Sequence, residues 1–333
     1  MTTSAFLLLL ALFPQAERKT ENVVLVTWDG FRPEEVFTGA EQRLLPPKDE
    51  ELRKAFWRET ARERREALLP FLWSVVARDG RLLRGRVTNG LNFSYPGYGE
   101  LLSGFPDPKI DSNKKIPNEN PTVLEWLSKR PGFEGKVAAF CCWDVFPSIF
   151  NKERSGLPTF AGEIGPAAKG YEDLLREIPT PWNGCTYDML AFRPALDYLK
   201  ARKPRVLYIS LGETDEWAHA GRYDRYLQAA RRSDDYLRLL WETLQAMPEY
   251  AGRTTLLVTT DHGRGVEGTK WRDHGKDVDG AEKIWLAALG PDLPPAGEAK
   301  ESFTQAQVAA TVAAVLGEDY RRDVPKAAAP LFR

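Results

Sequence analysis

Histidine, cysteine and methionine occur only three times each in 333 residues, and no apolar run is long enough to cross a bilayer as a helix, which takes about 20 residues. Three cysteines (Cys141, Cys142 and Cys185) allow one disulfide with a thiol left over, so a disulfide-built scaffold is excluded. A formal net charge of -1 provides no overall field to draw the chain to nucleic acid or an anionic membrane. Internal repeats and low-complexity tracts are missing as well.

What is present fits a globular protein with a substantial core: 43% of residues are hydrophobic and 28% charged. Length alone permits one large domain or two. The start, MTTSAFLLLLALFPQA, carries an apolar run from Ala5 to Phe13 before Pro14 and Ala16. It resembles a secretory signal, although no Lys or Arg precedes the run. Residues 1–16 are therefore read as an export signal to a periplasmic or extracellular location, and 17–333 as the exported chain, without stable membrane insertion. Cys141 and Cys142 lie in the strand-like KVAAFCCW and read as small buried residues.

Five apolar, β-branched runs, VVLVTWDG, KVAAFCCW, RVLYISLG, RTTLLVTTDHG and KIWLAALGP, look like buried strands. Helical spacing falls between them at Leu68–Arg78, Thr122–Lys129, Tyr187–Lys200, Tyr223–Met247 and Gln305–Leu316. The alternation predicts an α/β fold with a largely parallel central sheet covered on both faces. Lys48 to Glu66, with both charge signs interspersed, reads as a solvated helix. The segments 30–69 and 146–182 fit the alternation poorly and are expected as loops or small insertions at the rim of a site.

In such a sheet, ligands bind where the strands end. Asp29 ends the first run, Asp215 follows the third closely, and Asp261 with His262 end the fourth. Asp215 and His219 are four apart, which puts both on one face of a helical turn. In Asp261-His262-Gly263 two successive side chains can turn to one point as the chain leaves the sheet, with Gly263 allowing the bend. His274 follows in WRDHGK, and Asp273 beside it could orient it. Three surface histidines is the alternative, yet each histidine lies within four residues of an aspartate.

Ser94, in NFSYPGYGELLSG, precedes a short helical pattern. It is either a nucleophile at a helix N-terminus, where free N–H groups favour a phosphate, or an N-cap without chemistry. A serine hydroxyl needs a base or a metal to become nucleophilic. A Ser-His-Asp triad would leave two histidines idle, and no G-x-S-x-G elbow surrounds Ser94.

In the order Asp29, Ser94, Asp215 and His219, Asp261-His262, His274, the chain resembles the alkaline phosphatase superfamily, in the branch of nucleotide pyrophosphatase/phosphodiesterases and related phosphatases, from Val23 to about Pro294. The resemblance implies a three-layer α/β/α fold and two divalent ions, most often zinc: Asp215, His219 and His274 around one, and Asp29, Asp261 and His262 around the other. Ser94 would attack a small-molecule phosphate ester and form a phosphoseryl intermediate. Asn113 resembles an asparagine that donates to a phosphoryl oxygen in the diesterases. Lys152-Glu153-Arg154 resembles a Lys-x-Arg clamp of phosphomonoesterases, and two cations facing a dianion favour monoesters over diesters. Diesterases of the branch commonly carry threonine at the Ser94 position. The sulfatase motif needs arginine where Tyr98 stands, and sulfatases pair aspartates where Trp28 precedes Asp29. A phosphoryl or headgroup transferase on the same core, and a catalytically silent metal- or ligand-binding protein, are the other readings.

Overall fold

The computed structural model describes residues 18–162, 177, 178 and 180–332. The apolar run read as an export signal lies outside the described residues. Among the described residues, no helix is long and apolar enough to cross a membrane.

Eight strands form one sheet: β1 (Asn22–Trp28), β2 (Arg81–Arg86), β3 (Val137–Cys141), β4 (Thr159–Ala161), β5 (Val206–Leu211), β6 (Thr254–Thr259), β7 (Lys283–Leu289) and β8 (Gly297–Thr304). Their order is β4-β3-β5-β1-β6-β7-β2-β8. β7 runs antiparallel to β6 and β2, and the other pairings are parallel. The five helices that matter below are α1 (Ser94–Ser103), α2 (Asp188–Arg202), α3 (Glu213–His219), α4 (Tyr223–Ala246) and α5 (Gln307–Val315).

β1 is buried along its whole length, because alternate side chains enter two separate cores. Val24, Val26 and Trp28 pack with residues of α2 and α4. Val23 and Leu25 pack with residues of α1 and α5. Each such aliphatic side chain contributes about 1.5–3 kcal/mol by leaving water, which explains why a central parallel strand reads as an unbroken apolar run.

Of the loop or small insertion expected over residues 30–69, the structure shows an insertion packed into the core: helices Pro33–Thr38, Glu50–Phe56 and Ala61–Leu68 occupy much of the segment, and Val36, Phe37, Leu52, Phe56 and Leu68 enter the core. One expectation is corrected. The single solvated helix expected over 48–66 is two helices, because Thr60 caps the second with a reciprocal Thr60–Glu63 capping box. In the other irregular segment, helices Phe146–Ile149 and Lys152–Ser155 precede β4, and residues 163–176 lie outside the described residues. All three cysteines are free and buried.

Candidate metal centre

Strand register builds the first half of the site. β1 pairs in parallel with β6, with Thr27 opposite Thr259, so two residues further on Asp29 emerges beside Asp261. On the other side Trp28 is opposite Leu211 of β5, and the chain then turns through Gly212 into α3, which carries Asp215 and His219. The strand ends thus deliver side chains from segments far apart in sequence to one edge of the sheet.

Ligand atoms of Asp29, Asp261 and His262 lie within 4.8 Å of one another, as do those of Asp215, His219 and His274. In the first group each carboxylate has one oxygen tethered and one free. Asp29 Oδ2 accepts from the Tyr98 hydroxyl at 3.0 Å, and Asp261 Oδ1 accepts from the Gly30 N–H at 3.1 Å. Asp29 Oδ1 and Asp261 Oδ2 are buried with no hydrogen-bond partner. Each stands 3.4 Å from His262 Nε2. His262 Nδ1 lies 2.9 Å from the Gly263 carbonyl. Since a carbonyl only accepts, Nδ1 carries the proton and Nε2 presents a lone pair. One nitrogen lone pair and two orphaned carboxylate oxygens, facing one another away from water, have no favourable arrangement without a cation or extra protons.

Electrostatics agree with that geometry. Burial, reinforced by Asp215, pushes the Asp29 carboxyl well above the usual range. Burial and then Asp29 do the same to Asp261. Burial would also raise Asp215, but the Arg264 guanidinium and the neighbouring histidines hold it well below.

In the second group His219 Nε2 is 3.2 Å from Asp215 Oδ2, as the spacing of four predicts. His219 Nε2 and His274 Nε2 face each other at 3.0 Å. His274 Nδ1 lies 3.2 Å from the Asn92 carbonyl, which again turns an Nε2 lone pair toward the partners. Burial and the stacked His262 ring push His274 down to about 2, so it is a neutral donor.

Ser94 is the first residue of α1 and is buried. Its Oγ stands 3.3 Å from His262 Nε2. The helix end is less rich in free donors than the sequence suggests: Tyr95 N–H donates to Asn113 Oδ1 at 3.0 Å, and Pro96 has no N–H. That contact fixes the Asn113 amide, since a backbone N–H can only donate, and leaves Nδ2 as a donor. Ser94, Asn113, Trp143, Glu216 and the second group's residues line a cleft of about 140 Å³. Burial and then Asp215 raise the Glu216 carboxyl to about 7.

Lys152 and Arg154 are not brought to this cleft. Lys152 Nζ donates to the Thr159 carbonyl at 3.2 Å. Arg154 pairs with the buried Glu125 at 2.7 Å and donates to the carbonyls of Asn118, Glu119 and Asn120. In place of the expected phosphate clamp, Arg154 fastens the 118–125 segment and Lys152 the start of β4.

Sequence reasoning missed several residues that shape the centre. Gly30 has φ +57°, and a Cβ there would stand 2.5 Å from Asp215 Oδ1 and 2.7 Å from Arg264 Nη1. Gly97 lets α1 lie directly on the Asp261 carbonyl, where a Cβ would come within 2.5 Å. Tyr98, Thr214, whose hydroxyl holds the Asp29 carbonyl at 2.6 Å, and Gln305, whose amide donates to the Asp261 carbonyl at 2.6 Å, complete the scaffold. The available signal was position, since Gly30, Tyr98 and Arg264 each lie within four residues of a proposed ligand or nucleophile.

No family model matches the chain, and no curated protein matches it. Solved structures do. A protein in the alkaline phosphatase superfamily from Vibrio parahaemolyticus is similar with TM-score 0.56 and 15% identity, over 95% of this chain and 71% of that one. The lipoteichoic acid synthase LtaP from Listeria monocytogenes gives TM-score 0.55 and 11% identity, over 91% and 73%. A 2-O GAG sulfatase gives 0.54 and 12%, over 90% and 71%.

Proposed function

From a chain with the alkaline phosphatase-like fold, we propose that residues 17–333 are one exported catalytic domain that cleaves phosphate esters with Ser94 as nucleophile and two zinc ions. Asp29, Asp261 and His262 would hold one ion and Asp215, His219 and His274 the other. The observation that carries this reading is the pair of orphaned oxygens, Asp29 Oδ1 and Asp261 Oδ2, aimed at the His262 lone pair beside Ser94 Oγ. Nitrogen and carboxylate donors in threes, with a position left open, suit catalytic zinc. Bound there, two divalent ions supply Lewis acidity that lowers the pKa of the attacking oxygen and offsets charge on the leaving one.

The chain's own residues do the rest. Tyr98 and the Gly30 N–H fix the carboxylates, and Thr214 the Asp29 backbone, before substrate arrives, so little reorganisation is needed when charge develops. Ser94 Oγ attacks phosphorus from the start of α1 and becomes phosphorylated, and the ester oxygen leaves with a proton. Water then cleaves the phosphoseryl bond. Asn113 Nδ2 donates to a phosphoryl oxygen.

Substrate charge follows from the lining. No lysine or arginine lines the cleft among the described residues, while Glu216 does. A monoester dianion would meet no cationic side chain in the cleft lining and would be repelled by an ionised Glu216. A diester carries one charge fewer. We therefore assign diesters as the preferred class, reversing the preference that the Lys152-Arg154 pair suggests. Sulfate esters also carry one charge, but Tyr98 stands where the sulfatase motif has arginine, and its hydroxyl is committed to Asp29.

The test is hydrolysis of bis-p-nitrophenyl phosphate, p-nitrophenyl phosphate and p-nitrophenyl sulfate by zinc-loaded protein. The expected kcat/KM is at least tenfold higher for the diester than for the monoester, with no turnover of the sulfate. A faster monoester would overturn the substrate assignment, and a metal-loaded protein inert to all three would overturn the enzyme.

A further inference from the structure

Arg264 lies two residues beyond His262 and is completely buried. A guanidinium in such a place must be satisfied at all its donors or it costs several kcal/mol. Its Nε donates to the Trp271 carbonyl at 2.9 Å, its Nη2 to the Arg272 carbonyl, and its Nη1 to Asp215 Oδ1. These contacts join three pieces of the centre: the strand end that carries His262, the helix that carries Asp215, and the two residues that lead to Asp273 and His274. The same loop is closed by a Gly265 N–H bond to the Asp273 carbonyl at 3.0 Å and by Arg32 Nη1 on the Gly265 carbonyl at 3.1 Å.

Asp215 Oδ1 sits between the two groups, 3.9 Å from His262 Nε2 and 3.8 Å from His274 Nε2. Its other oxygen faces His219. A free carboxylate here could swing to chelate through both oxygens or to bridge the groups. Arg264 removes both options by occupying Oδ1, as Tyr98 does for Asp29 and the Gly30 N–H for Asp261.

Building on the metal reading above, we infer that Arg264 is a positioning residue that makes Asp215 a one-oxygen ligand and ties it to the loop of His274. With Asp215 held to one oxygen, an ion bound by Asp215, His219 and His274 would have three protein donors, the number a catalytic zinc site uses. The guanidinium also adds a fixed positive charge to a cluster of three carboxylates, which favours an anionic substrate. Lysine cannot replace it, because one ammonium cannot span Asp215 and two carbonyls held in a planar fork.

The experiment titrates metal-free wild type, Arg264→Met and Arg264→Lys with Co2+, following ion stoichiometry, the affinity of each step and the visible ligand-field bands, with urea midpoints to record folding. Wild type is expected to bind two ions. Arg264→Met should weaken one of the two by at least tenfold, leave the other within twofold, and lower the visible absorbance of the weakened site as Asp215 adds its second oxygen. Arg264→Lys keeps the charge next to Asp215, supports folding if the Met variant does not fold, and should still weaken the same ion severalfold. Wild-type affinities and bands in the Lys variant, or in a folded Met variant, would overturn the inference while leaving the metal reading intact. A wild-type protein that binds no ion would overturn both.

Discussion

Replacing Gly30 with alanine tests whether three side chains really crowd the same point. The backbone there has φ +57°, a conformation that costs a residue with a Cβ about 1–2 kcal/mol. The new methyl would also stand 2.5 Å from Asp215 Oδ1, 2.7 Å from Arg264 Nη1 and 3.2 Å from His262 Cε1. None of the three is the loose end of an exposed chain, so forcing them apart adds about 1–3 kcal/mol, for a total of about 2–5 kcal/mol. Gly90 provides the control: its φ is +71°, and a Cβ there meets nothing within 4 Å, so Gly90→Ala costs the backbone portion only. Urea unfolding of both metal-free variants reads the difference directly, and zinc titration should show weakened binding for Gly30→Ala alone. If the two variants agree within about 0.5 kcal/mol, the uncertainty of such comparisons, and bind zinc equally, the convergence described at Gly30 is refuted.

Ser94→Ala should abolish turnover while both ions stay bound, because the proposed nucleophile is not among the six proposed metal-binding side chains; loss of the ions on this change would contradict its proposed role. Arg154→Ala should destabilise the fold by about 1–3 kcal/mol, since the buried Glu125 keeps only Lys129, at 2.7 Å, and should alter diester and monoester hydrolysis alike; a selective loss on the monoester would restore the clamp. The raised Asp29 and Asp261 carboxyls hold protons more tightly folded than unfolded, so their contribution to metal-free stability falls as pH rises above about 4 toward their folded values. Zinc bound at the proposed site would displace those protons, so the gap in melting temperature between zinc-loaded and chelator-treated protein should widen from pH 5 to pH 8. A gap that narrows would count against these two carboxyls as ligands.

Much of the sheet could be read in advance because β1, β3, β5, β6 and β7 are buried on both faces and so carry unbroken apolar runs. β8 (GEAKESFT) could not: it is an edge strand, mostly exposed, and only Phe303 is deeply buried. The proposed metal-binding residues were legible where they end such runs, as Asp29 and Asp261-His262 do. Lys152 and Arg154 read as a clamp because a short cation pair looks the same whether it meets substrate or, as here, a strand carbonyl and a buried glutamate 29 residues away. Arg264 was overlooked for the converse reason. Arginine after Asp-His-Gly reads as surface until the Trp271 and Arg272 carbonyls fold back onto it.

The six proposed ligands reach from Asp29 to His274, and they hang from the ends of β1 and β6, from α3 after β5, and from the 263–274 loop. A fragment lacking any one of these elements would lose part of the set. Ion release should therefore track cooperative opening of the central sheet rather than fraying of one segment, and a strong chelator should shorten the lifetime of the folded protein as well as silence it. A protein's resistance to proteases depends on how slowly it opens, so the proposed ions would protect the chain as well as serve the proposed catalysis.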